Sequence, residues 1–314
     1  MPDILNSYLG PAAGLATSIL WTATSLFFTA AANRIGPTVL NAARILMAVV
    51  LLSLTHRLLG ETWIPHALPK QVALLAASGL VGLTIGDHAL FIAFVDIGPR
   101  LTMLIMTTSP LFAVLFGWVA LGETLPPVAW IGVALTVAGV GWVVAERGHG
   151  GPQHTPHRWR GILLALVGAI CQAGGLLLSK QGMGHGWLPD DARLDPQAAT
   201  LVRMTFAALG TLPIVAVYSL RLRANPLAWK YRAGDLKTGM IFAATGACTG
   251  PFLGVWMSLV ASDNAPLGVA QTLCSLVPVF ILPVVVVVHK ERVTLRAVIG
   301  AVVAVLGAAL LFIQ

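Results

Sequence analysis

The chain has 314 residues and a formal net charge of +7; 57% of its residues are hydrophobic and only 10% are charged. About a quarter of the residues of a soluble domain are charged, and a globule of this length cannot bury so much apolar surface. The composition therefore excludes an ordinary soluble domain. We attribute the positive charge to loop arginines at a membrane surface and expect no nucleic-acid partner.

Long apolar blocks separated by short polar stretches predict an all-α integral membrane protein. A helix needs about 20 apolar residues to cross the hydrocarbon core, and a helix satisfies its own backbone hydrogen bonds in lipid. About ten such blocks follow one another along the chain. They lie near residues 11–32, 37–58, 71–96, 99–121, 125–145, 160–182, 196–220, 236–262, 266–289 and 293–313.

The chain divides into two related halves. Residues 93–140 align without a gap with residues 261–308, at an offset of 168 residues. Shared positions include a proline, a glutamate and two glycines: Pro110 with Pro278, Glu123 with Glu291, Gly132 with Gly300, and Gly139 with Gly307. Five spans per half is an odd number, so the second half enters the membrane from the opposite side. We expect two inverted five-helix repeats, 1–147 and 160–314, joined by a polar linker at 148–159.

Several motifs carry a family resemblance. They are Gly86-Asp87-His88-Ala89-Leu90-Phe91, Ile97-Gly98-Pro99-Arg100, Ser109-Pro110 and Leu121-Gly122-Glu123, with a second copy from Ala261 through Pro278 to Lys290-Glu291-Arg292. In order, spacing and duplication they resemble the EamA-type repeat of the drug/metabolite transporter superfamily. The resemblance implies a ten-helix transporter that moves a small metabolite, amino acid or drug, often outward. Together with the inverted repeats it leads to the hypothesis of a secondary transporter that exports its solute by alternating access. A passive channel or facilitator, or a membrane protein without transport activity, remains as an alternative.

Asp87 and His88 are the first candidates for chemistry inside the membrane. Ionisable residues are costly there, so each is a functional candidate by default. A carboxylate beside an imidazole can bind and release a proton as its exposure changes, which makes protons a candidate coupling ion. The alternative is a structural hydrogen bond from Asp87 to backbone or hydroxyl groups of a neighbouring span.

Arg44 and Arg203 occupy matching positions in the second and seventh spans, about two turns from the entry end. Three roles remain open for them. The side chains snorkel to the interface, pair with a carboxylate such as Glu123 or Glu291, or grip a substrate anion through the guanidinium.

Pro110 and Pro278 are predicted to lie mid-helix in the fourth and ninth spans and to kink them. Such kinks either shape a cavity and act as hinges, or are fixed bends that pack well. The family resemblance also places five amphipathic side chains around a central cavity. These candidates for substrate contact are Trp21, Gln172, Trp256, Gln271 and Thr272.

Loop charges predict the orientation. Loops after odd-numbered spans carry twelve lysines and arginines, and the opposite loops carry four. The positive-inside rule then places both termini on the non-cytoplasmic side, and we expect the bacterial inner membrane. No cofactor or metal is expected, because His149, His154 and His157 of the linker lack companion ligands. No enzyme activity is expected, because no span carries a catalytic motif.

Overall fold

The computed structural model describes residues 2–59, 62–146, 157–189, 192–224, 233–281, 283 and 294–311. Within these ranges the chain is helical and contains no strand. Most of the predicted linker and the loop that carries Glu291 lie outside them.

The first half contains six α-helices and one π-helical segment. Five of the helices in the described ranges begin at a proline, which suits the first turn because its missing N–H would have no partner there. The elements are α1 (Pro2–Ile35), α2 (Pro37–Leu58), α3 (Pro69–Ser78), the first π segment (Gly79–Gly86), α4 (Asp87–Met106), α5 (Ser109–Leu121) and α6 (Pro127–Glu146).

The second half repeats this order. Its last helix is capped by Thr294, whose hydroxyl accepts a hydrogen bond from the Ala297 N–H at 3.2 Å. The elements are α7 (Arg158–Gly182), α8 (Pro196–Ala224), α9 (Ala233–Ala247), the second π segment (Cys248–Gly254), α10 (Val255–Asn264), α11 (Leu267–Cys274) and α12 (Leu295–Leu310).

Seven helical stretches are long and apolar enough to cross a membrane. They are Tyr8–Phe28, Thr38–Leu58, Pro69–Leu90, Pro127–Val144, Arg158–Gly182, Pro196–Leu220 and Leu236–Asn264. Three shorter apolar helical stretches, Ser109–Leu121, Leu267–Ile281 and Leu295–Leu310, fall within the predicted fourth, ninth and tenth spans. An integral membrane protein is therefore consistent with the fold, with seven full-length spans in the described part of the chain.

The chain reverses direction within α4. A Cβ placed on Gly168 would lie 3.4 Å from Met106 Sδ and 3.7 Å from Leu90 Cβ. Sixteen residues along an unbroken helix would separate these neighbours by about 24 Å. Both approach one glycine, so the third and fourth predicted spans form a hairpin although the backbone is helical throughout.

The predicted proline kinks are full interruptions. Helix α4 ends at Met106, residues 107–108 form a turn, and α5 restarts with Pro110 in its first turn. In the second half α11 ends at Cys274 and the helix resumes at 277–281, so that Pro278 again lies in the first turn. Proline is tolerated at that position, whereas a mid-helix position would lose a hydrogen bond.

The two π segments lie at matching places in the repeats. Gly79–Gly86 and Cys248–Gly254 both end immediately before a continuing helix, and Gly86 and Gly254 are 168 residues apart. A π segment is rare and often marks a functional site. The first of them lets the backbone approach a helix of the other repeat, since a Cβ on Gly82 would lie 3.5 Å from the Gly175 Cα.

The first helix of each repeat packs against the other repeat. Helix α7 contacts α3, the first π segment, α4 and α5, while α1 contacts α9, the second π segment, α10 and α11. We call these two groups the α7 bundle and the α1 bundle. Each bundle thus contains helices of both repeats.

Helices α6 and α12 run antiparallel in close contact. A Cβ on Gly139 would lie 2.6 Å from the Gly300 carbonyl oxygen, and a Cβ on Gly132 would lie 2.9 Å from the Gly307 carbonyl oxygen. Along the contact the residue number rises in one helix as it falls in the other, so the two helices run in opposite directions. Glycines allow this backbone approach, as in other packed membrane helices.

Candidate functional site

A buried ion pair joins Arg44 on α2 to Asp87 at the start of α4. Arg44 Nη2 donates to Asp87 Oδ2, and the Arg44 side chain is 5% exposed. Asn41 supports the arginine, because its Oδ1 accepts from Arg44 Nε at 2.9 Å and from Nη2 at 2.7 Å. The guanidinium also lies 5.5 Å from the centre of the Phe28 ring, a cation–π distance. Asp87 is therefore paired with a neighbouring span through a charge rather than through backbone or hydroxyl groups.

His88 does not join this pair. Its side chain is exposed, and in the described part of the chain no hydrogen bond links it to Asp87. Adjacent residues of a helix point about 100° apart, so Asp87 can face the interior while His88 faces outward. A carboxylate–imidazole pair at these two residues is not present in this conformation.

Arg203 on α8 is the unpaired counterpart of Arg44. It is 4% exposed, and its Nε is buried without a hydrogen-bond partner. A Cβ on Gly82 would lie 2.9 Å from Arg203 Nη2, and a Cβ on Gly175 would lie 3.3 Å from it. The guanidinium therefore sits where the first π segment and α7 touch, in space left by two glycines.

The two arginines differ in role although the sequence makes them equivalent. Neither snorkels, since both are buried. Arg44 pairs with Asp87 and not with Glu123, and Glu291 lies outside the described residues. Of the three roles left open by the sequence, the structure shows carboxylate pairing for Arg44, while Arg203 has no carboxylate partner among the described residues.

Glu123 lies at a junction between the two bundles. Lys180 Nζ at the end of α7 donates to Glu123 Oε1 at 2.5 Å and to the Ala265 carbonyl oxygen at 2.6 Å. The Leu267 N–H at the start of α11 donates to Glu123 Oε2 at 2.6 Å. Glu123 and Lys180 belong to the α7 bundle, whereas Ala265 and Leu267 lie at the α10–α11 connection of the α1 bundle. We call these four residues the latch.

A second ion pair lies at the other end of α7. Arg160 Nε and Nη2 donate to the two Asp96 oxygens at 2.8 and 2.7 Å. Twenty residues of helix separate Arg160 from Lys180, about 30 Å, which is the thickness of the hydrocarbon core. The two pairs thus mark the two membrane faces of α7. Asp96 and Arg160 both belong to the α7 bundle, so this pair does not join the bundles.

The five predicted cavity residues have varied surroundings. Gln271 is buried and donates to Ser109 Oγ at 3.1 Å, which links the two proline interruptions. Thr272 donates to the Gly268 carbonyl oxygen of its own helix at 2.6 Å. The remaining three are half-buried aromatic and amide side chains: Trp21 packs near Gly254, Trp256 lies 6.1 Å from the Phe252 ring centre, and Gln172 lies on α7.

Ser18 of α1 serves the backbone groups freed by the interruption of α11. Its hydroxyl donates to the Leu273 carbonyl oxygen at 2.5 Å and accepts from the Leu276 N–H at 3.1 Å. A local hydroxyl also contributes, since Ser275 donates to the Gln271 carbonyl oxygen at 2.8 Å. The distant Ser18 was not predicted, since nothing in the sequence indicates which span lies beside the break.

Metal chemistry was not expected from the sequence. Within the described ranges no three His, Cys, Asp or Glu side chains cluster as a metal site. His149 and His154 lie outside those ranges, as does Glu291.

Sequence reasoning missed Lys180, Asp96 and Arg160 as structural partners. Each lies at a predicted span end, where a charge is ordinarily assigned to the interface. Their partners are distant in sequence, since Lys180 contacts Glu123 and Arg160 contacts Asp96. A signal was present: Lys180 is the one lysine or arginine near the end of the sixth span, on the face that carries few positive charges.

The repeated helical halves, the apolar spans and the ion pairs inside the bundle define a polytopic membrane protein built from two related units. The model of the EamA-like transporter family matches residues 9–145 and again residues 159–313. The chain belongs to this family, and hence to the membrane transporters of the drug/metabolite transporter superfamily.

Solved structures share the fold. One crystal structure superposes with a TM-score of 0.71 over 96% of this chain and 95% of that one, at 18% sequence identity. A comparison with curated protein sequences gave no match.

Proposed function

We propose that this protein is a secondary active transporter that exports a small metabolite, amino acid or drug by alternating access. It has ten spans in two inverted five-helix repeats, with both termini on the non-cytoplasmic side of the bacterial inner membrane. In this proposal three shorter apolar stretches bring the seven longer spans to ten: Ser109–Leu121, Leu267–Ile281 and Leu295–Leu310. The antiparallel contact of α6 with α12 supports the inversion, because equivalent helices of inverted repeats cross the membrane in opposite directions.

The observation that carries this proposal is the latch. Alternating access requires two bodies that separate at one face while they close at the other. At the face marked by Lys180, the Glu123 carboxylate holds the Leu267 N–H, and the Lys180 ammonium holds the Ala265 carbonyl oxygen. Both contacts cross from the α7 bundle to the α1 bundle. From the loop charges we propose that this face is the non-cytoplasmic one. Because the latch is closed there, we infer that the protein is at the stage of the cycle that receives solute from the cytoplasm.

A disulfide across the latch tests whether the bundles separate. A Cβ on Gly117 would lie 3.3 Å from the Leu267 Cβ, near the range of disulfides. In a variant whose three native cysteines are replaced, we expect oxidation of Gly117→Cys with Leu267→Cys to stop transport and reduction to restore it. The oxidised and reduced forms share the same substitutions, so the difference isolates the cross-link.

The matched control joins the repeats at α6 and α12. A Cβ on Gly300 would lie 3.2 Å from the Trp142 Cβ. We expect Trp142→Cys with Gly300→Cys to transport equally well oxidised and reduced, because this interface stays packed throughout the cycle. Undiminished transport by the oxidised latch variant would contradict alternating access at this face.

Proteoliposomes distinguish coupled transport from a passive facilitator. Solute accumulation against its gradient, abolished by a protonophore, supports the proton-coupled form, with Asp87 as the candidate carrier. Asp87→Asn then leaves downhill exchange and removes uphill accumulation. A facilitator would equilibrate solute and never accumulate it. Uphill transport that survives both treatments would exclude proton coupling.

A further inference from the structure

We propose that Arg203 is the binding site for an anionic group of the transported solute, a carboxylate or a phosphate held at the contact between the first π segment and α7. This inference rests on the proposed transport function and assigns a substrate class to it. Gly82 and Gly175 leave room for the Arg203 guanidinium, which supplies the charge.

The first step is the charge balance. Two buried arginines, Arg44 and Arg203, share the interior with a single carboxylate at Asp87, which the Arg44 guanidinium contacts directly. Arg203 lies within electrostatic range of Asp87, yet among the described residues it has no ion-pair or hydrogen-bond partner. The cluster therefore carries an excess positive charge in a low-dielectric interior, where such a charge is costly unless compensated.

The second step is the unpaired donor. Buried polar side chains nearly always have partners, so each exception needs an explanation. Arg203 Nε is one of a few buried side-chain nitrogen and oxygen atoms without a partner in the described part of the chain. A guanidinium presents a planar fork of donors that matches carboxylate and phosphate oxygens. An anion at this point would satisfy the nitrogen and neutralise the excess charge together.

The third step is position. Gly175, beside the Arg203 guanidinium, precedes Lys180 on α7 by five residues, about 8 Å. The site therefore lies inside the membrane, on the cytoplasmic side of the latch. The first π segment and α7 both belong to the α7 bundle, whereas the guanidinium comes from α8. A solute held there touches the first repeat through the π segment and the second repeat through α7 and α8, and transporter sites lie at such a repeat interface.

The test compares matched probes on the full-length protein in zwitterionic nanodiscs. The probe pairs are benzoate and benzamide, succinate and succinamide, and glycerol 3-phosphate and glycerol. We expect at least one anion of the series to bind more tightly than its neutral partner, and Arg203→Gln to weaken that anion about 10- to 100-fold, as expected for loss of a charge-assisted hydrogen bond. Arg203→Lys should retain part of the affinity, because it retains the charge.

Two controls separate a binding role from a structural one. Arg57 is an exposed arginine at the end of α2, and Arg57→Gln should leave every affinity unchanged. Arg203→Gln should unfold no earlier than the wild-type protein, since it removes an uncompensated buried charge. Equal affinity for anions and neutral partners, or an anion preference that survives Arg203→Gln, would overturn the inference.

Two further measurements complete the test: binding in nanodiscs that contain anionic lipid, and transport in proteoliposomes. If anionic lipid in the nanodisc occupies Arg203 and soluble anions do not compete, the anion belongs to a lipid headgroup and the substrate assignment fails. In proteoliposomes, transport of neutral solutes without anion preference would refute the anion site and leave the transport function standing. Absence of transport for every member of the series would refute both the anion site and the transport function.

Discussion

Thr136 on α6 donates a hydrogen bond to the carbonyl oxygen of Ala304 on α12 at 3.4 Å, and the two residues are separated by 168 positions. That separation is the repeat offset, so each residue occupies the place in its repeat that the other occupies in its own. Contact between equivalent positions is the mark of a two-fold relation, here within a single chain. The glycines on either side follow the same reciprocal pattern, since Gly132 approaches Gly307 and Gly139 approaches Gly300.

Gly139→Ala should destabilise the protein by about 1–3 kcal/mol, the usual cost of overpacking. The added Cβ would lie 2.4 Å from the Ala304 backbone nitrogen, and backbone cannot move aside as a side chain tip can. Denaturant unfolding of purified protein measures the change. Gly174→Ala is the control, because its Cβ would meet only a ring atom of Phe116 at 3.8 Å. Equal losses in the two variants would contradict the tight α6–α12 contact.

Arg44 and Asp87 should show strong coupling in a double-mutant cycle. Arg44→Met leaves a buried carboxylate without its cation and should cost about 3–5 kcal/mol, and Asp87→Leu should cost a similar amount. The double variant should lose much less than the sum, because no unpaired charge is left by the pair. Unfolding free energies of the four proteins give the coupling. Additive losses would mean that the pair contributes little.

Breaking the latch should open the non-cytoplasmic face. Glu123→Gln removes the charge that holds Lys180 and the Leu267 N–H, and should raise exposure of the buried Leu267 position about tenfold. A cysteine at Leu267 in a cysteine-free background reports this through its labelling rate with an impermeant maleimide. The Arg57→Gln variant with the same reporter should label at the original rate. An unchanged rate in Glu123→Gln would show that other contacts close this face.

Ser18→Ala should cost about 1–3 kcal/mol, because it leaves the Leu273 carbonyl and the Leu276 N–H without their shared partner. The control is Ser258→Ala, since the Ser258 hydroxyl donates only to the Val255 carbonyl oxygen of its own helix turn. Its loss should stay within about 0.5 kcal/mol. Denaturant unfolding compares the two. A larger loss in the control would refute the role of Ser18 at the break.

Gly82→Ala and Gly175→Ala should impair anion binding at Arg203 more than Gly174→Ala does. The first two place a Cβ 2.9 and 3.3 Å from Arg203 Nη2, and the third lies beside Gly175 but faces Phe116. The added Cβ would push the guanidinium N–H donors away from the anion. We therefore expect the affinity to fall about tenfold. Titration with the anionic probes measures it. Equal affinities in all three variants would show that the glycines serve packing alone.

Seven of the ten predicted span positions coincide with helices long and apolar enough to cross a membrane, because lipid imposes a simple rule of length and apolarity. The duplication followed from paired residues such as Pro110 and Pro278. The same information could not say that Arg44 would meet Asp87, since partners in different spans depend on which helices become neighbours. Equivalent residues were assigned equivalent roles, whereas Arg203 lacks the carboxylate that Arg44 has, because Asp87 aligns with Val255.

The local conformation of the backbone could not be predicted from the sequence either. The π segments carry glycines that an ordinary α-helix accommodates as well, and only the approach of Gly82 to Gly175 reveals their use. The proline positions predicted a disturbed helix, and the turn at 107–108 depends on hydrogen bonds such as that from Thr108 to the Ile105 carbonyl oxygen.

Because the first helix of each repeat packs against the other repeat, the helices must assemble in a particular order during biogenesis. Helix α1 leaves the ribosome long before α9, α10 and α11, against which it packs, have been synthesised. It must wait in the bilayer without its final neighbours, shielded by lipid or by the insertion machinery. A truncated chain that ends after α6 would hold neither bundle whole. Co-expressed halves, by contrast, would have to find each other and trade their opening helices before either could mature.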